Sequence, residues 1–484
     1  MKFRITAKVL GILLMFFSIS MLTPIPVSMY YHDKVGMPFF AAFIITVVTG
    51  LVLWTIGRRS QQELRTRDGF LIVFLMWFVL GAFGALPFML SYSPHIPWSD
   101  AFFESVSGLT TTGATTLNHI DAIPKAVLYY RQQLQFLGGM GIIVLAIAIM
   151  PLIGVGGMQL YKAETSGPMK DSKLTPRITA TAKALWLIYV GLNLACILGY
   201  WLAGMSLFDA IGYAFGTVST GGYAPHEASI AFYHSDWIYI VSIVFMILGG
   251  TNFSLHFIAL GRMKLKTYWR DPEFKAYIFI YLGVAIIATI VLLVMGTYHN
   301  WGDAFLNSVY QVVSFGTTTG FVSDMSYANW PLFLPILLLF MGIAGACAGS
   351  TTGGVKMIRL LLFAKQISRE TKRLIHPNGT FPVKLGERIV PDRVMSSVWS
   401  FLSAYLAIFL LFWIILMGTG LDPTSAFSAI ATCMSNTGPG LGSVSLDFSG
   451  ITPFARWILT IAMLVGRLEV FTVLVLFSPA FWRH

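Results

Sequence analysis

Four short glycine-containing segments, spread along the chain, constrain its fold more than any other feature. They read LTTTGATTL around Gly113, STGGYAP around Gly222, TTTGFVS around Gly320 and SNTGPGLG around Gly438. Each places a small hydroxyl or amide residue before a glycine, and successive glycines are 98 to 118 residues apart. Because four chance copies at similar spacing are improbable, we interpret them as one repeated structural unit.

A short, mostly apolar run precedes each of these glycines and predicts a helix of two to three turns. Good helix N-cap residues stand thirteen positions before each glycine, namely Asp100, Asp209, Asn307 and Ser425. We therefore expect a capped short helix and then an extended segment in every repeat. The three residues that end at each glycine are called a glycine strip below.

The chemistry of a glycine strip indicates a use for it. Glycine adopts positive φ and turns backbone carbonyls where other residues do not, and a helix that ends there directs its negative end to the same place. Four such ends around one axis form an oxygen-lined site for a dehydrated cation, as in the filters of potassium channels. The alternative is that the glycines are helix-packing points, but four copies at similar spacing favour the cation site.

Composition places the chain in a membrane. Of its 484 residues 56% are hydrophobic and 11% charged, and the mean hydropathy is +0.73, whereas soluble proteins carry about 25% charged residues. The cysteines, Cys196, Cys347 and Cys433, all lie in apolar stretches, which argues against a disulfide scaffold and against a zinc site. The apolar N-terminus reads as a retained first helix rather than a cleaved signal peptide.

Ten apolar segments are long enough to be membrane spans. They are 9–30, 38–56, 70–92, 128–153, 184–205, 236–260, 276–297, 330–345 continuing past a break, 398–418 and 454–478. We predict an all-α polytopic membrane protein with four span–short helix–span repeats in pseudo-fourfold arrangement, plus two N-terminal transmembrane helices. The predicted domains are 1–69 for the N-terminal pair, then 70–183, 184–275, 276–395 and 396–484 for the repeats.

Lysine and arginine placement predicts the orientation. Nearly all of the 32 fall at the N-terminus, at 58–67, 162–183, 262–275 and 356–393, and at the C-terminal end. By the positive-inside rule both termini are cytoplasmic and the glycine strips face outward. The net charge of +11 thus reflects topology rather than nucleic-acid binding. These basic segments are also candidates for binding a soluble partner or anionic membrane lipid.

Residues 341–355, MGIAGACAGSTTGGV, contain five glycines and predict irregular backbone within the third repeat. Irregular backbone at membrane depth is tolerated where it lines a cavity or is buried in protein. The helical rise places the segment below the glycine strips. The alternative is a seam of small residues for helix packing. By contrast, the glycines at 138–141 and 249–250 are expected to be ordinary kinks or close contacts.

Arg467 lies inside the last predicted span, about 21 Å of helix from Pro453. A charge in a span is costly and usually faces the bundle interior or water. It is therefore a candidate pore residue at the depth of the glycine-rich segment. The alternative is an arginine that pairs structurally with a distant carboxylate. A pair with Glu469 within one helix is not expected, because two residues apart they face different sides.

These features resemble the Trk/Ktr/HKT superfamily of potassium transporters. The stretches DAFFESVSGLTTTGATTL, RQQLQFLGGMGIIVLA, KTYWRDPEFK and GACAGSTTGG look like the pore-forming subunits of bacterial Trk systems. The resemblance implies potassium uptake across the bacterial inner membrane by a homodimer. It also implies a cytoplasmic nucleotide-binding regulatory subunit that responds to NAD(H) and adenine nucleotides. This chain lacks a Gly-x-Gly-x-x-Gly after a strand, so we expect no bound cofactor, only K⁺ as the transported ion.

The resemblance assigns three kinds of site residue. Filter carbonyls that bind K⁺ fall on Thr111, Thr112, Gly113, Thr220, Gly221, Gly222, Thr318, Thr319, Gly320, Asn436, Thr437 and Gly438. An intramembrane gating loop includes Gly345, Gly349, Ser350, Thr351, Thr352, Gly353 and Gly354. Arg467 projects into the pore below the filter as a barrier. Glycine, rather than serine, at all four filter positions favours potassium over sodium.

Two other function classes remain open from the residues themselves. A secondary transporter would move potassium together with protons or sodium, but few titratable residues lie within spans to form a proton relay. An intramembrane enzyme would need nucleophiles or paired carboxylates at one depth, and the sequence provides no such arrangement. We therefore predict a non-enzymatic, channel-like potassium permease.

Overall fold

The computed structural model describes residues 3–59, 66–91, 96–141, 178–323 and 327–482. Nearly all of its regular structure is helical, with one two-residue hairpin of β1 (Lys384–Leu385) and β2 (Arg388–Ile389). The span predicted at 128–153 is described only to residue 141. Five of the basic residues on which the predicted orientation rests, Arg65, Lys162, Lys170, Lys173 and Arg177, lie outside the described residues.

Two spans, formed by three helices, precede the repeats and pack closely as an antiparallel hairpin. The first span is divided into α1 (Phe3–Ile19) and α2 (Pro24–Tyr31), and α3 (Gly36–Gly57) returns across the membrane. A β-carbon on Gly11 would lie 2.6 Å from the carbonyl oxygen of Gly50. Small residues therefore allow backbone-to-backbone approach in this pair, as is common between membrane helices.

Each of the four repeats contains a short helix between two longer segments. The first repeat comprises α4 (Thr66–Gly84), α5 (Leu86–Leu90), α6 (Trp98–Leu109) and α7 (Lys125–Phe136). The second comprises α8 (Ile178–Leu202), α9 (Leu207–Val218), α10 (Asp236–Gly249), α11 (Phe253–Arg262) and α12 (Lys266–Arg270). The third comprises α13 (Pro272–Val294), α14 (Trp301–Gly316), α15 (Leu334–Ala344) and α16 (Met357–Ile375), and the fourth comprises α17 (Asp392–Met417), α18 (Pro423–Ser435), α19 (Pro453–Arg467), α20 (Val470–Phe477) and α21 (Pro479–Trp482). The predicted all-α, polytopic fold class is confirmed, while the domain boundaries stay predictions.

The short helices α6, α9, α14 and α18 begin earlier than predicted, so the four predicted N-cap residues are wrong. Side chains of Ser206, Asn300 and Asp422 cap the last three of these helices. Asp100, Asp209 and Ser425 lie instead in the first turn, and Asn307 lies in the second turn of α14. Acidic residues are favoured both at the cap and in the first turn, so residue type alone does not separate the positions.

Two predicted spans are not continuous helices. Helices α10 and α11 meet at 96°, and α19 and α20 meet at 112°. Six helical segments within the described residues are long and apolar enough to cross a membrane, or eight if each bent pair is one span. The bend at Gly249 and Gly250 is sharper than an ordinary kink. The alternative expectation of close contacts is confirmed, because a β-carbon would lie 2.9 Å from the Val218 carbonyl oxygen at Gly249 and 2.8 Å from the Tyr277 hydroxyl at Gly250. Leu137–Gly141 form a π-helical turn after α7.

Most of the buried apolar side chains form two large clusters. One combines the N-terminal helices with the first and fourth repeats, and includes Phe103, Leu134 and Met463. The other is built from the second and third repeats, and includes Tyr213 and Phe315. The strips themselves are buried, and their first residues, Thr111, Thr220, Thr318 and Asn436, are at most 1% exposed.

Candidate cation pathway

All four glycine strips adopt the same backbone conformation. The first residue of each strip is left-handed, with φ of 53° to 57°, and each glycine has φ between 78° and 99°. The middle residue donates its N–H to the carbonyl of the fifth residue before it at 2.8 Å; these pairs are Thr112–Ser107, Gly221–Gly216, Thr319–Ser314 and Thr437–Thr432. This bond closes the C-terminus of each short helix. The strips are thus four copies of one helix-ending motif.

The four strips form a closed ring in chain order. A β-carbon on Gly113 would overlap the carbonyl oxygen of Gly221 in the next strip. The same relation joins Gly222 to Thr319, Gly320 to Thr437 and Gly438 back to Thr112. Both the positive φ and this approach exclude a side chain at the four glycines. The ring brings together equivalent main-chain oxygens and the negative ends of four helices.

Side chains behind the ring fix the strips. In three strips the hydroxyl of the middle residue bonds to a hydroxyl two residues earlier: Thr112 to Thr110 at 2.7 Å, Thr319 to Thr317 at 2.8 Å and Thr437 to Ser435 at 2.8 Å. The second strip has Gly221 at this position. There Gln135 substitutes, donating to the Gly221 carbonyl at 2.6 Å and accepting from the Tyr223 N–H at 3.0 Å. The sequence analysis did not identify Gln135.

A buried ion pair supports the first strip. Arg131 Nε lies 3.2 Å from Glu104 Oε2, and both side chains are buried. The other oxygen of Glu104 accepts from Thr115 Oγ1 at 2.7 Å and from the Thr116 N–H at 2.6 Å. The Arg131 guanidinium also lies 4.1 Å from the ring centroid of Tyr223. These contacts tie the residues that follow Gly113 to helices α6 and α7.

The predicted gating segment is an irregular loop between α15 and α16, called the intramembrane loop here and comprising residues 345–356. Three of its glycines, Gly345, Gly349 and Gly354, have positive φ of 68° to 71°. Ser350 Oγ bonds to the Cys347 carbonyl at 2.6 Å and lies 2.8 Å from Thr352 Oγ1. The loop is therefore held in a compact shape by its own polar groups.

The intramembrane loop contacts two glycine strips directly. Thr351 Oγ1 lies 3.2 Å from Thr220 Oγ1 and 3.0 Å from the Val218 carbonyl. The Gly353 N–H donates to Thr318 Oγ1 at 2.8 Å. A β-carbon on Gly353 would also overlap the carbonyl oxygen of Ser435, at the end of α18. The loop thus lies against the helix-end side of the ring.

The bend between α10 and α11 receives the same loop. The Cys347 N–H donates to the Gly250 carbonyl at 3.0 Å, and the Phe253 N–H donates to the Gly349 carbonyl at 3.0 Å. Thr351 contributes its N–H to the Gly249 carbonyl at 3.3 Å. Backbone groups that the broken helix frees are therefore bonded to the irregular loop, as burial within a membrane requires.

Arg467, the last residue of α19, reaches three parts of the pathway. Its Nη2 donates to the carbonyls of Gly138 and Gly139, both at 2.8 Å. Its Nη1 donates to the Thr351 carbonyl at 2.9 Å and to Thr111 Oγ1 at 3.2 Å. The consecutive glycines after α7 provide two carbonyl acceptors for this arginine. The sequence analysis identified Arg467 but missed these acceptors.

Further charges surround the end of the loop. Arg359 Nη2 lies 2.8 Å from Glu469 Oε2, and the Arg359 guanidinium lies 4.0 Å from the Phe401 ring centroid. Lys356 Nζ donates to the main-chain oxygen of Thr352. Glu469, at the bend between α19 and α20, thus contacts Arg359 of the third repeat across 110 residues of sequence, which local spacing does not reveal.

Comparison with known proteins gives one consistent family. The family model TrkH, described as a cation transport protein, matches residues 35–484. The Trk system potassium uptake protein TrkH of Salmonella typhimurium is 50% identical over 488 residues, and that of Vibrio parahaemolyticus is 49% identical over 485, each covering 100% of both chains. The crystal structure of the potassium transporter TrkH from Vibrio parahaemolyticus superimposes with a TM-score of 0.91 at 47% identity, covering 100% of both chains. The chain is a multi-pass membrane protein and belongs to the TrkH family of cation transport proteins.

Proposed function

We propose that this chain is the pore-forming subunit of a potassium uptake system. The single observation that carries the proposal is the closed ring of four glycine strips with one shared backbone conformation. Main-chain oxygens in a ring replace the hydration shell of an alkali cation. The Trk system names of the relatives support potassium as that cation. In this proposal K⁺ binds at Thr111–Gly113, Thr220–Gly222, Thr318–Gly320 and Asn436–Gly438.

The intramembrane loop is the gate of this pathway, and Arg467 is the barrier. Two observations support these roles: the loop bonds to Thr220 and Thr318 of the ring, and Arg467 bonds to both the loop and Thr111. A fixed positive charge opposes a cation that leaves the ring on this side. Movement of Gly345, Gly349, Ser350, Thr351, Thr352, Gly353 and Gly354 away from the ring opens the pathway.

The chain works in the bacterial inner membrane as a homodimer, with both termini and the basic segments in the cytoplasm. The distribution of lysine and arginine supports this orientation. A cytoplasmic nucleotide-binding subunit of the TrkA type contacts the basic segments 262–275 and 356–393 and controls the loop. Anionic membrane lipid binds the same basic side. The chain itself holds no nucleotide.

The test is cation flux into liposomes that contain the purified chain alone. Potassium or sodium is supplied outside, while the membrane potential and the pH gradient are imposed independently. A passive pore predicts potassium-selective flux that follows the membrane potential and is the same with or without a pH gradient. Flux that requires or follows the proton or sodium gradient would instead establish a coupled transporter, and Arg467 would then be a coupling residue.

A further inference from the structure

One carboxylate oxygen holds both ends of the intramembrane loop. Glu273 Oε1 accepts the N–H of Ala348 at 2.7 Å and the N–H of Ile358 at 3.0 Å. Ala348 lies in the first half of the loop, and Ile358 lies in the first turn of α16, just beyond its end. A single atom therefore fixes the distance between the two sides of the loop.

Glu273 is well placed for this task. Its side chain belongs to the first turn of α13, a long helix that begins at Pro272, and the residue is 7% exposed. Asp271 caps the same helix by accepting the Phe274 N–H at 2.8 Å. The acceptor is thus attached to a rigid element of the third repeat rather than to another loop.

The bonds from Glu273 join two separate segments at one acceptor atom. Thr351, Gly353 and Cys347 instead bond to groups outside the loop, in the ring and at the bend between α10 and α11. Loss of the carboxylate would also leave two backbone N–H groups without their acceptor at a buried site, which is costly.

The helix before Glu273 lies at the surface, and its aromatic side chains pack against α11 and α13. None of the five residues of α12 is buried. Tyr268 Oη lies 2.8 Å from Nδ1 of the buried His256, which ties α12 to α11. A force applied to α12 from the cytoplasmic side would therefore reach Glu273 through only two intervening residues, Asp271 and Pro272.

We propose that Glu273 is the positioning residue that keeps the intramembrane loop in its compact shape against the ring. Displacement of the α12–α13 corner withdraws the carboxylate and frees both sides of the loop together. The inference deepens the proposed function, because it rests on this loop being the gate. It identifies the corner between α12 and α13 as the part of the molecule through which a cytoplasmic partner acts.

The first measurement follows the position of the loop without reference to transport. Cys347 is buried and adjoins Ala348, so its thiol reports on release of this segment. The rate of Cys347 modification by a water-soluble methanethiosulfonate, read site by site with mass spectrometry, is compared for wild type, Glu273→Gln and Glu273→Ala. Asp271→Asn is the control, because asparagine preserves the helix cap two residues away. Cys433, buried in α18, is the internal reference.

The expected result is at least tenfold faster modification of Cys347 in Glu273→Ala, a smaller increase in Glu273→Gln, and no change in Asp271→Asn or at Cys433. The graded effect follows because glutamine retains an acceptor oxygen and alanine retains none. If Glu273→Ala is not recovered folded, the isosteric Glu273→Gln provides the same comparison. Unchanged Cys347 modification in the Glu273 variants overturns the inference, whatever happens to flux.

The second measurement is potassium and sodium flux through the same proteins in liposomes. Faster potassium flux with an unchanged potassium-to-sodium ratio is expected for the Glu273 variants, because the ring itself is untouched. A general loss of structure would instead lower the ratio together with the flux, and that result contradicts a positioning role. Faster Cys347 modification with unchanged flux would support Glu273 as the loop's positioning residue and refute the loop as the gate.

Discussion

Nη1 of Arg467 donates a 2.9 Å hydrogen bond to the main-chain oxygen of Thr351. The same nitrogen lies 3.2 Å from Thr111 Oγ1, so one residue of the fourth repeat joins the third-repeat loop to the first-repeat strip. These acceptors, and the carbonyls of Gly138 and Gly139, carry no formal charge. The bonds orient the guanidinium toward the loop, the first strip and the turn after α7.

Replacing Arg467 by alanine should raise potassium flux at least tenfold. Two unit charges ~5 Å apart at an effective dielectric constant of ~20 repel by about 3 kcal/mol, which sets the scale of the barrier that is removed. Potassium flux into liposomes measures the effect. Arg467→Lys is the control, because it keeps the charge and loses the planar fork, so most of the barrier should remain. Lower flux from Arg467→Ala at normal yield would contradict the barrier role.

Gly113→Ser should abolish discrimination between potassium and sodium. The β-carbon of the serine would overlap the Gly221 carbonyl, and the serine backbone would have to adopt a φ of 80°. The ring must therefore distort. Reversal potentials in mixed potassium and sodium solutions report the ratio. Gly191→Ser is the matched control, because nothing lies within 4 Å of a β-carbon there. A ratio equal to that of wild type in Gly113→Ser would refute the placement of the filter.

The sequence predicted those parts of the structure that depend on local pattern. The recurrence of a glycine after small polar residues identified Gly113, Gly222, Gly320 and Gly438, and hydropathy identified the helical, multi-pass class. The left-handed conformation of Thr111 and its counterparts was not predicted, because threonine rarely adopts it. It follows from the helix-ending bond, which only the folded chain displays.

Features that depend on distant contacts were missed. Gln135 lies 86 residues from Gly221, and Glu273 lies 75 residues from Ala348, so no local spacing joins them. The sharpness of the bend at Gly249 and Gly250, 96° between α10 and α11, was missed for the same reason. Two glycines permit a helix to break, but the bonds that stabilise the break come from the loop a hundred residues later.

Breaking the buried pair of Glu104 and Arg131 should destabilise the protein strongly. Glu104→Gln leaves the buried arginine without its counter-charge, at a cost of about 3–5 kcal/mol. Thermal unfolding of the purified protein and the folded yield measure this loss. The double variant Glu104→Gln with Arg131→Met should be less damaged than Glu104→Gln alone, because no uncompensated charge remains. If the double variant loses as much stability as Glu104→Gln alone, or as much as the two single substitutions added together, the two charges do not depend on each other.

Thr351→Val should loosen the intramembrane loop while preserving the volume of the side chain. The substitution removes the hydroxyl that bonds to the Val218 and Gly249 carbonyls at 3.0 and 3.1 Å. Loss of such buried bonds costs about 1–3 kcal/mol, so potassium flux should rise several-fold. Thr371→Val is the control, because Thr371 lies in the exposed last part of α16. Unchanged flux in Thr351→Val would indicate that these bonds do not hold the pathway closed.

A histidine beyond the second strip should make the stability of the protein depend on pH. His226 Nδ1 lies 2.8 Å from Asp121 Oδ1, its Nε2 lies 3.5 Å from Asp209 Oδ1, and its ring stacks on Phe232 at 3.7 Å. Burial lowers the pKa of His226, but the hydrogen bonds and charges of Asp209 and Asp121 outweigh it, so the pKa lies above its ordinary value. The His226 ring therefore binds its proton more tightly in the folded protein than in the unfolded chain.

The sign of the pH dependence follows from that raised pKa. The stabilisation is fully present below the ordinary histidine pKa of about 6.5 and is lost as the pH rises through the folded value. The melting temperature of purified wild type should thus exceed that of His226→Asn by more at pH 5.5 than at pH 9. His119→Asn is the control, since His119 is exposed with φ of 52°, a conformation that asparagine tolerates. A difference between wild type and His226→Asn that stays constant or grows with pH would show that Asp121 and Asp209 do not stabilise the charged ring.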